Sequence, residues 1–167
     1  YFDLEEDNLV EFIAGGRTQP GQSIMVDGFE VEAYLDLGDV SIDADFVTLE
    51  GNDVDPSGVE TVRSSLPETT VSVWGRWAPT SGPLENLRVG TGVRYASSTQ
   101  DEAGTLKIVT DGYTVFDGLI GYSLGEVDLS LNARNILDKS YYSTCLTRGD
   151  CFAAEGRTVV ATAAYRF

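Results

Sequence analysis

Histidine is absent from this chain of 167 residues, which removes the commonest general base, the commonest metal ligand and any Ser-His-Asp arrangement. Basic residues are scarce: 11 Lys and Arg stand against 27 Asp and Glu, a formal net charge of −16. A nucleic-acid partner is therefore disfavoured, because a phosphate backbone has to be neutralised by Lys and Arg. No apolar run approaches the eighteen or so residues of a membrane helix. That leaves a membrane barrel open, since its strands alternate and average to near-neutral hydropathy, as this chain does. Cysteine is limited to Cys145 and Cys151, set among polar residues; the pair fits a loop disulfide in an oxidising compartment better than a zinc site, which needs two more ligands. The length suits a single domain. Tyr1 is not an initiator Met and no signal peptide precedes the first patterned segment, so the chain reads as cut from something longer.

What the sequence does have is alternation. In residues 155–167, Val159, Ala161, Ala163, Tyr165 and Phe167 point one way, and Thr158, Val160, Thr162, Ala164 and Arg166 the other, as the period of two in a strand requires. One face is continuously apolar and ends on aromatics, as in a membrane strand. Further strands are expected at 1–12, 25–37, 40–49, 69–78, 87–97, 113–123 and 126–135, about eight in all, with no helical pattern. Phe29, Val31, Ala33, Leu35 and Leu37 oppose Glu30, Glu32 and Asp36, while Phe2 and Leu4 are set against Asp3 and Glu5. Trp77, Tyr95 and Tyr122 fall on the apolar side, where they suit an aromatic girdle.

Connections alternate between short (38–39, 79–86, 124–125) and long (14–24, 50–68, 98–112, 136–154). The long ones are assigned as loops on Gly, Pro and Asp content, the first of them on Gly15, Gly16, Pro20 and Gly21. Membrane barrels sort their connections this way, with short periplasmic turns and long external loops. The polar face carries Glu30, Glu32, Asp43, Asp45, Arg76, Arg88, Arg94, Asp117, Asp128 and Arg134. A dry core could not hold so many charges, whereas a wet lumen can.

Three short motifs imitate chemistry. Gly121-Tyr122-Ser123-Leu124-Gly125 satisfies Gly-x-Ser-x-Gly, but a nucleophile elbow needs a strand-to-helix turn and a His, so the segment reads as a turn. Asp53-Val54-Asp55-Pro56-Ser57-Gly58 imitates half a calcium loop, yet Ser64 stands where a bidentate Glu is required. Glu30 and Glu32 share a face and fit a solvated wall better than an acid and base pair.

The run Leu131-Asn132-Ala133-Arg134-Asn135-Ile136-Leu137-Asp138-Lys139-Ser140-Tyr141-Tyr142 resembles the penultimate-strand motif of TonB-dependent outer-membrane receptors. Cys145 and Cys151, then Phe152, then residues 155–167, are similar to the end of the siderophore receptors of the ferrichrome type, which carry a disulfide in the last extracellular loop. Gly28-Phe29-Glu30-Val31-Glu32, Leu66-Pro67 and Gly92-Val93-Arg94-Tyr95 are further likenesses.

The resemblance implies an all-β, antiparallel, up-and-down transmembrane barrel of about 22 strands, of which residues 1–167 would be about the last eight, the C-terminal portion without plug or TonB-contacting segment. It implies uptake of a ferric siderophore across the bacterial outer membrane, powered by the TonB complex, with no catalysis, cofactor or metal site. A piece of this size is expected not to transport alone, and its charged face would crowd a narrow eight-stranded barrel. Aromatic rings line the outer pocket of such receptors, which makes Tyr141, Tyr142 and above all Phe152 the expected ligand contacts, with a girdle role as the alternative. Tyr165 and Phe167 resemble the signal read by the barrel-assembly machinery, and outer-membrane lipid would cover the apolar face. Two other readings fit the residues: a complete eight-stranded barrel with a structural or adhesion role, and a soluble extracellular β-sandwich that binds ligands.

Overall fold

The computed structural model describes residues 1–13 and 17–167, built from antiparallel strands. In chain order these are β1 (Phe2–Ile13), β2 (Arg17–Asp36), β3 (Val40–Val54), β4 (Glu60–Val62), β5 (Thr69–Trp77), β6 (Leu87–Ala96), β7 (Thr99–Ala103), β8 (Leu106–Thr110), β9 (Tyr113–Leu124), β10 (Val127–Arg134), β11 (Tyr142–Cys145), β12 (Cys151–Ala153) and β13 (Thr158–Tyr165). The main sheet runs β1-β2-β3-β5-β6-β9-β10-β13, with β4 paired onto the end of β3. β7–β8 and β11–β12 form separate two-stranded ribbons. The eight long strands are those expected from alternation. β1 and β13 are the two edges of an open sheet.

One end of the sheet is closed by tight turns. Leu37 N donates to Val40 O, closing a hairpin on Gly38 and Asp39, and Gly38 has the positive φ of 82° that such a turn demands. Asp39 Oδ1 then accepts both the amide and the hydroxyl of Thr80 at 2.9 Å, bracing the next turn. The third turn falls on Gly125 and Glu126, one residue later than expected, because Leu124 still pairs with Val127.

Register assigns the two faces. Phe29, Val31, Ala33 and Leu35 on β2 line up with Phe46, Ala44 and Ile42 on β3, then Val71, Val73 and Trp77 on β5. The row continues through Val93 and Val89 to Phe116, Ile120 and Tyr122, then Leu129 and Leu131, and ends at Ala161 and Ala163 on β13. These side chains are open to the surroundings: Phe29 and Ile120 are each 50% exposed. The buried apolar side chains among the described residues are Ala96 and Val115. The described residues have, in effect, no apolar core of their own. Full burial of a large apolar side chain contributes roughly 1.5–3 kcal/mol, and a good part of that is forfeited along this face in water, so the face calls for an apolar medium over it.

The opposite face is polar and makes its own contacts. Arg88 bonds Asp128 at 2.6 Å and Ser123 at 2.9 Å, and Arg94 grips Asp117 with two bonds of 2.6 and 3.1 Å. Trp74 lies flat across Gly90 and Gly92 of β6, where a Cβ at either position would collide with the ring. Both glycines are there because a side chain would displace the indole.

Four expectations need correction. Residues 17–24 are not loop: β2 starts at Arg17 and Val10 pairs with Pro20. The breakers are absorbed by bulges between Glu6 and Val10 and by positive φ at Asn8 and Gly21; Ala14, Gly15 and Gly16 lie outside the described residues. Residues 50–54 extend β3, and 98–112 and 136–154 each contain a hairpin. Phe2 and Leu4 do alternate with Asp3 and Glu5 as expected, but on a face the sequence left unassigned. They pair with Gly28 and Val26, on the face of Glu30 and Glu32, while Asp3, Asp27 and Glu50 form a row on the other side. Polarity therefore inverts above Phe29, which marks the upper edge of the apolar band. From Phe29 to Leu37, at about 3.3 Å per residue, the strand runs about 26 Å along its own axis, which at the usual tilt of barrel strands crosses a layer of roughly 20 Å.

Candidate functional site

The end of the sheet opposite the tight turns carries the long connections, and the last of these begins on a clamp. Asn135 is 2% exposed. Its amide donates to Asp117 Oδ1, its Nδ2 donates to the carbonyls of Lys139 and Glu155, and its Oδ1 accepts from Lys139 N. Asn135 and Asp138 both take positive φ, 49° and 55°, a conformation that Asn and Asp tolerate better than other side chains. Asp138 Oδ1 also receives Arg157 N from the far side of the connection. The turn thus stands on the Arg94–Asp117 ion pair and directs the chain so that Tyr141 stacks on Tyr113, ring centroids 4.2 Å apart. Burial raises the Tyr141 phenol above its ordinary pKa, so it stays protonated and able to donate.

From this base rises the β11–β12 hairpin, closed near its tip by the Cys145–Cys151 disulfide. The tip is held by other loops. Asp101 Oδ2, on β7, accepts both the amide and the hydroxyl of Thr147, at 2.6 and 2.8 Å. Thr110 Oγ1, on β8, accepts Cys145 N at 2.7 Å. Thr144 Oγ1 donates to Ser65 Oγ, and Ser65 N donates to Gln100 O. The connections at 55–68, 97–112 and 135–157 are one interlocked body. Asp101 is 8% exposed, and the hydroxyl of Ser64 together with the bonds from Thr147 holds its carboxyl below the usual range.

Tyr141 and Tyr142 line a cleft of about 440 Å³ together with Asp111, Lys139 and Cys145. Phe152 is not among the residues lining it; it sits on β12 opposite Thr144 and is 48% exposed. The structure brings the two tyrosines together and leaves the phenylalanine apart from them. Tyr165 and Phe167 lie at the other end of the molecule, where Tyr165 hydroxyl donates to Glu126 Oε2 at 2.6 Å and Arg166 N donates to Glu126 O.

The imitation motifs resolve structurally. Asp55 accepts Ser57 and Val59 in a local turn and Asp53 pairs with Arg63 at 2.6 Å, so both carboxylates already have partners. Gly121 to Leu124 is the end of β9. Among the described residues there is no group of three or more metal-ligating side chains. The site can offer aromatic faces, hydroxyls and the Lys139 ammonium to a ligand. Sequence reading missed Asp101, Thr110, Thr147 and Ser65, whose contacts are all long-range, and saw Asn135 only as part of a motif.

Comparison with known proteins gives the same picture from another side. A family model described as TonB dependent receptor-like, beta-barrel, matches residues 1–136. The ferrichrome outer membrane transporter/phage receptor of Escherichia coli K12 is 36% identical over 110 residues, covering 62% of this chain and 14% of that protein. The ferrioxamine B receptor of Salmonella typhimurium LT2 is 31% identical over 107 residues, covering 60% and 15%. Among solved structures, the ferripyoverdine receptor of the outer membrane of Pseudomonas aeruginosa, bound to ferripyoverdine, superposes with a TM-score of 0.79 at 20% identity, covering 99% of this chain and 24% of that one. The siderophore receptor PiuA from Acinetobacter baumannii gives 0.76 at 22%, covering 98% and 25%. The chain spans less than a sixth of the length of these curated relatives. The structural likeness establishes the fold: an arc of a larger barrel.

Proposed function

The chain belongs to the TonB-dependent receptor β-barrel family, and on that premise we propose that it is the C-terminal arc of a receptor that takes up ferric siderophores across the outer membrane. The observation that carries this is the inversion of an ordinary domain. Its apolar face is open, and its opposite face is charged, ion-paired on β6, β9 and β10 and unpaired at Glu30, Glu32, Asp43 and Asp45 of β2 and β3 among the described residues, as suits strands between lipid and a wet lumen. Family members are outer-membrane transporters and receptors; in this reading the arc adds no catalysis, no cofactor and no resident metal. Residues 1–167 form one portion of the barrel, and the TonB complex acts through a part of the receptor other than this arc.

Tyr141, Tyr142 and Phe152 are the ligand contacts in this proposal, with the tyrosine cleft receiving one edge of the siderophore and Phe152 presented on the hairpin beside it. Lipid covers the row from Phe29 to Ala163, and Tyr165 and Phe167 present the terminal strand to the barrel-assembly machinery. The test is uptake of iron-55 as ferrichrome, ferrioxamine B or ferripyoverdine by cells whose sole receptor is the full-length protein. Uptake of at least one, lost or weakened in the Tyr141→Ala/Tyr142→Ala double variant, supports the reading. Failure of a correctly inserted receptor to take up any of the three overturns it for these siderophore classes.

A further inference from the structure

We propose that Asp101 is a positioning residue: its carboxylate holds the tip of the disulfide-closed β11–β12 hairpin and so sets where Tyr142 and Phe152 stand at the mouth of the barrel. What the hairpin receives rests on the siderophore reading above; how it is held does not.

The hairpin has two ends, secured in different ways. Its base is fixed by the Asn135 clamp, by the Tyr113–Tyr141 stack and by Ala154 N donating to Tyr141 O. Its tip reaches beyond the sheet and is gripped by the β7–β8 ribbon, through Asp101 on Thr147 and Thr110 on Cys145. Asp101 makes the larger grip, two charge-assisted bonds to one residue. The Cys145–Cys151 bond joins the tip to itself. Its role in this arrangement is to make residues 145–151 one body, so that a hold on Thr147 places the whole hairpin. Ser64 reaches the same carboxylate, and Ser65 bonds both Gln100 and Thr144, so the 55–68 connection backs the ribbon. Arg148 is a charged neighbour that favours the ionised form of Asp101.

A carboxylate suits this task because it accepts every donor aimed at it. Alanine would leave Thr147 N and Oγ1 without their acceptor. Asparagine keeps one acceptor oxygen but turns an NH₂ toward the donors, so it should be intermediate.

The experiment uses the full-length receptor in the outer membrane, as wild type, Asp101→Ala and Asp101→Asn. Hydrogen exchange of residues 142–153 reads placement of the hairpin. Equilibrium binding and saturating uptake of ferrichrome, ferrioxamine B and ferripyoverdine read its use, with heat-modified gel migration as the check on barrel integrity. In Asp101→Ala we expect exchange protection of 142–153 to be lost and Kd to rise on the order of tenfold, since a loose hairpin must be ordered on binding. The saturating uptake rate should stay unchanged. Asp101→Asn should fall between. A thiol reductant should raise Kd in the wild type and add little in Asp101→Ala. Unchanged protection in Asp101→Ala overturns the proposal, as does lost protection with Kd unchanged. If the wild type binds none of the three probes, the siderophore reading is what has failed, and the exchange result alone decides whether Asp101 places the hairpin.

Discussion

The polar face is not one surface but two. On β6, β9 and β10 its charges are matched: Arg88 with Asp128, and Arg94 with Asp117, all partly shielded, Asp117 down to 13% side-chain exposure. On β2 and β3 it carries Glu30, Glu32, Asp36, Asp43 and Asp45, all exposed. None of these is in an ion pair among the described residues, and Glu32 stands directly opposite Asp45. The first wall is a finished structure that also supports the last loop through Asn135. The second tolerates like charges side by side, which works only while water or an opposite charge faces it. Charge in this fold therefore serves two purposes, scaffolding under the long loops and solvation elsewhere.

Substitutions in the full-length receptor, followed by heat-modified gel migration or urea unfolding, should separate these roles. The largest effect tests the faces themselves: Leu131→Arg in the apolar row should cost about 2–4 kcal/mol, whereas Asn132→Arg next to it, facing the lumen, should cost little. Similar losses would refute the assignment of faces. Within the matched wall, Asp117→Ala leaves Arg94 without its partner and Asn135 N without its acceptor, and should cost about 2–3 kcal/mol. In the acidic wall, Glu32→Ala should change stability by no more than about 0.5 kcal/mol, and Glu32→Lys, now opposite Asp45, should stabilise by roughly 0.2–1 kcal/mol. If Glu32→Ala costs as much as Asp117→Ala, the contrast between the walls disappears.

The smallest effect on the barrel concerns pH. The Asp101 carboxyl is held below its ordinary value, so its contribution to loop order is complete above the unfolded value of about 4. That contribution is lost as pH falls through the lower folded value. Cleavage within 145–151 by an acid-active protease should therefore rise only in strong acid, with the sheet intact; cleavage that rises between pH 7 and 5 would contradict the hold on Thr147.

Much of this was legible from alternation because a strand between two solvents must show both of them in its sequence. The alternation of Phe29 to Leu37 marked a strand with one apolar face, and the Gly38-Asp39 turn followed from its neighbours, while the turn after β9 came one residue later than expected. Alternation alone does not assign the faces where the chain leaves the band. Phe2 and Leu4 keep the alternation, but the medium around them changes, so their faces exchange. Pro20 and Gly21 signal a break, yet bulges let the strand continue. In the loops, Asp101 finds Thr147 across 46 positions and Thr110 finds Cys145 across 35; no local pattern encodes such a pair. Asn135 was half visible, since its motif drew notice while the bonds that make it necessary came from distant residues.

The indole resting on Gly90 and Gly92 has one more consequence. The chain holds two tryptophans, and three positions of strand separate them, so Trp74 looks into the lumen while Trp77 looks toward lipid. The arc thus carries two intrinsic fluorophores that sample different solvents. In this part of the protein, iodide in the water-filled interior should quench the first, and brominated acyl chains the second.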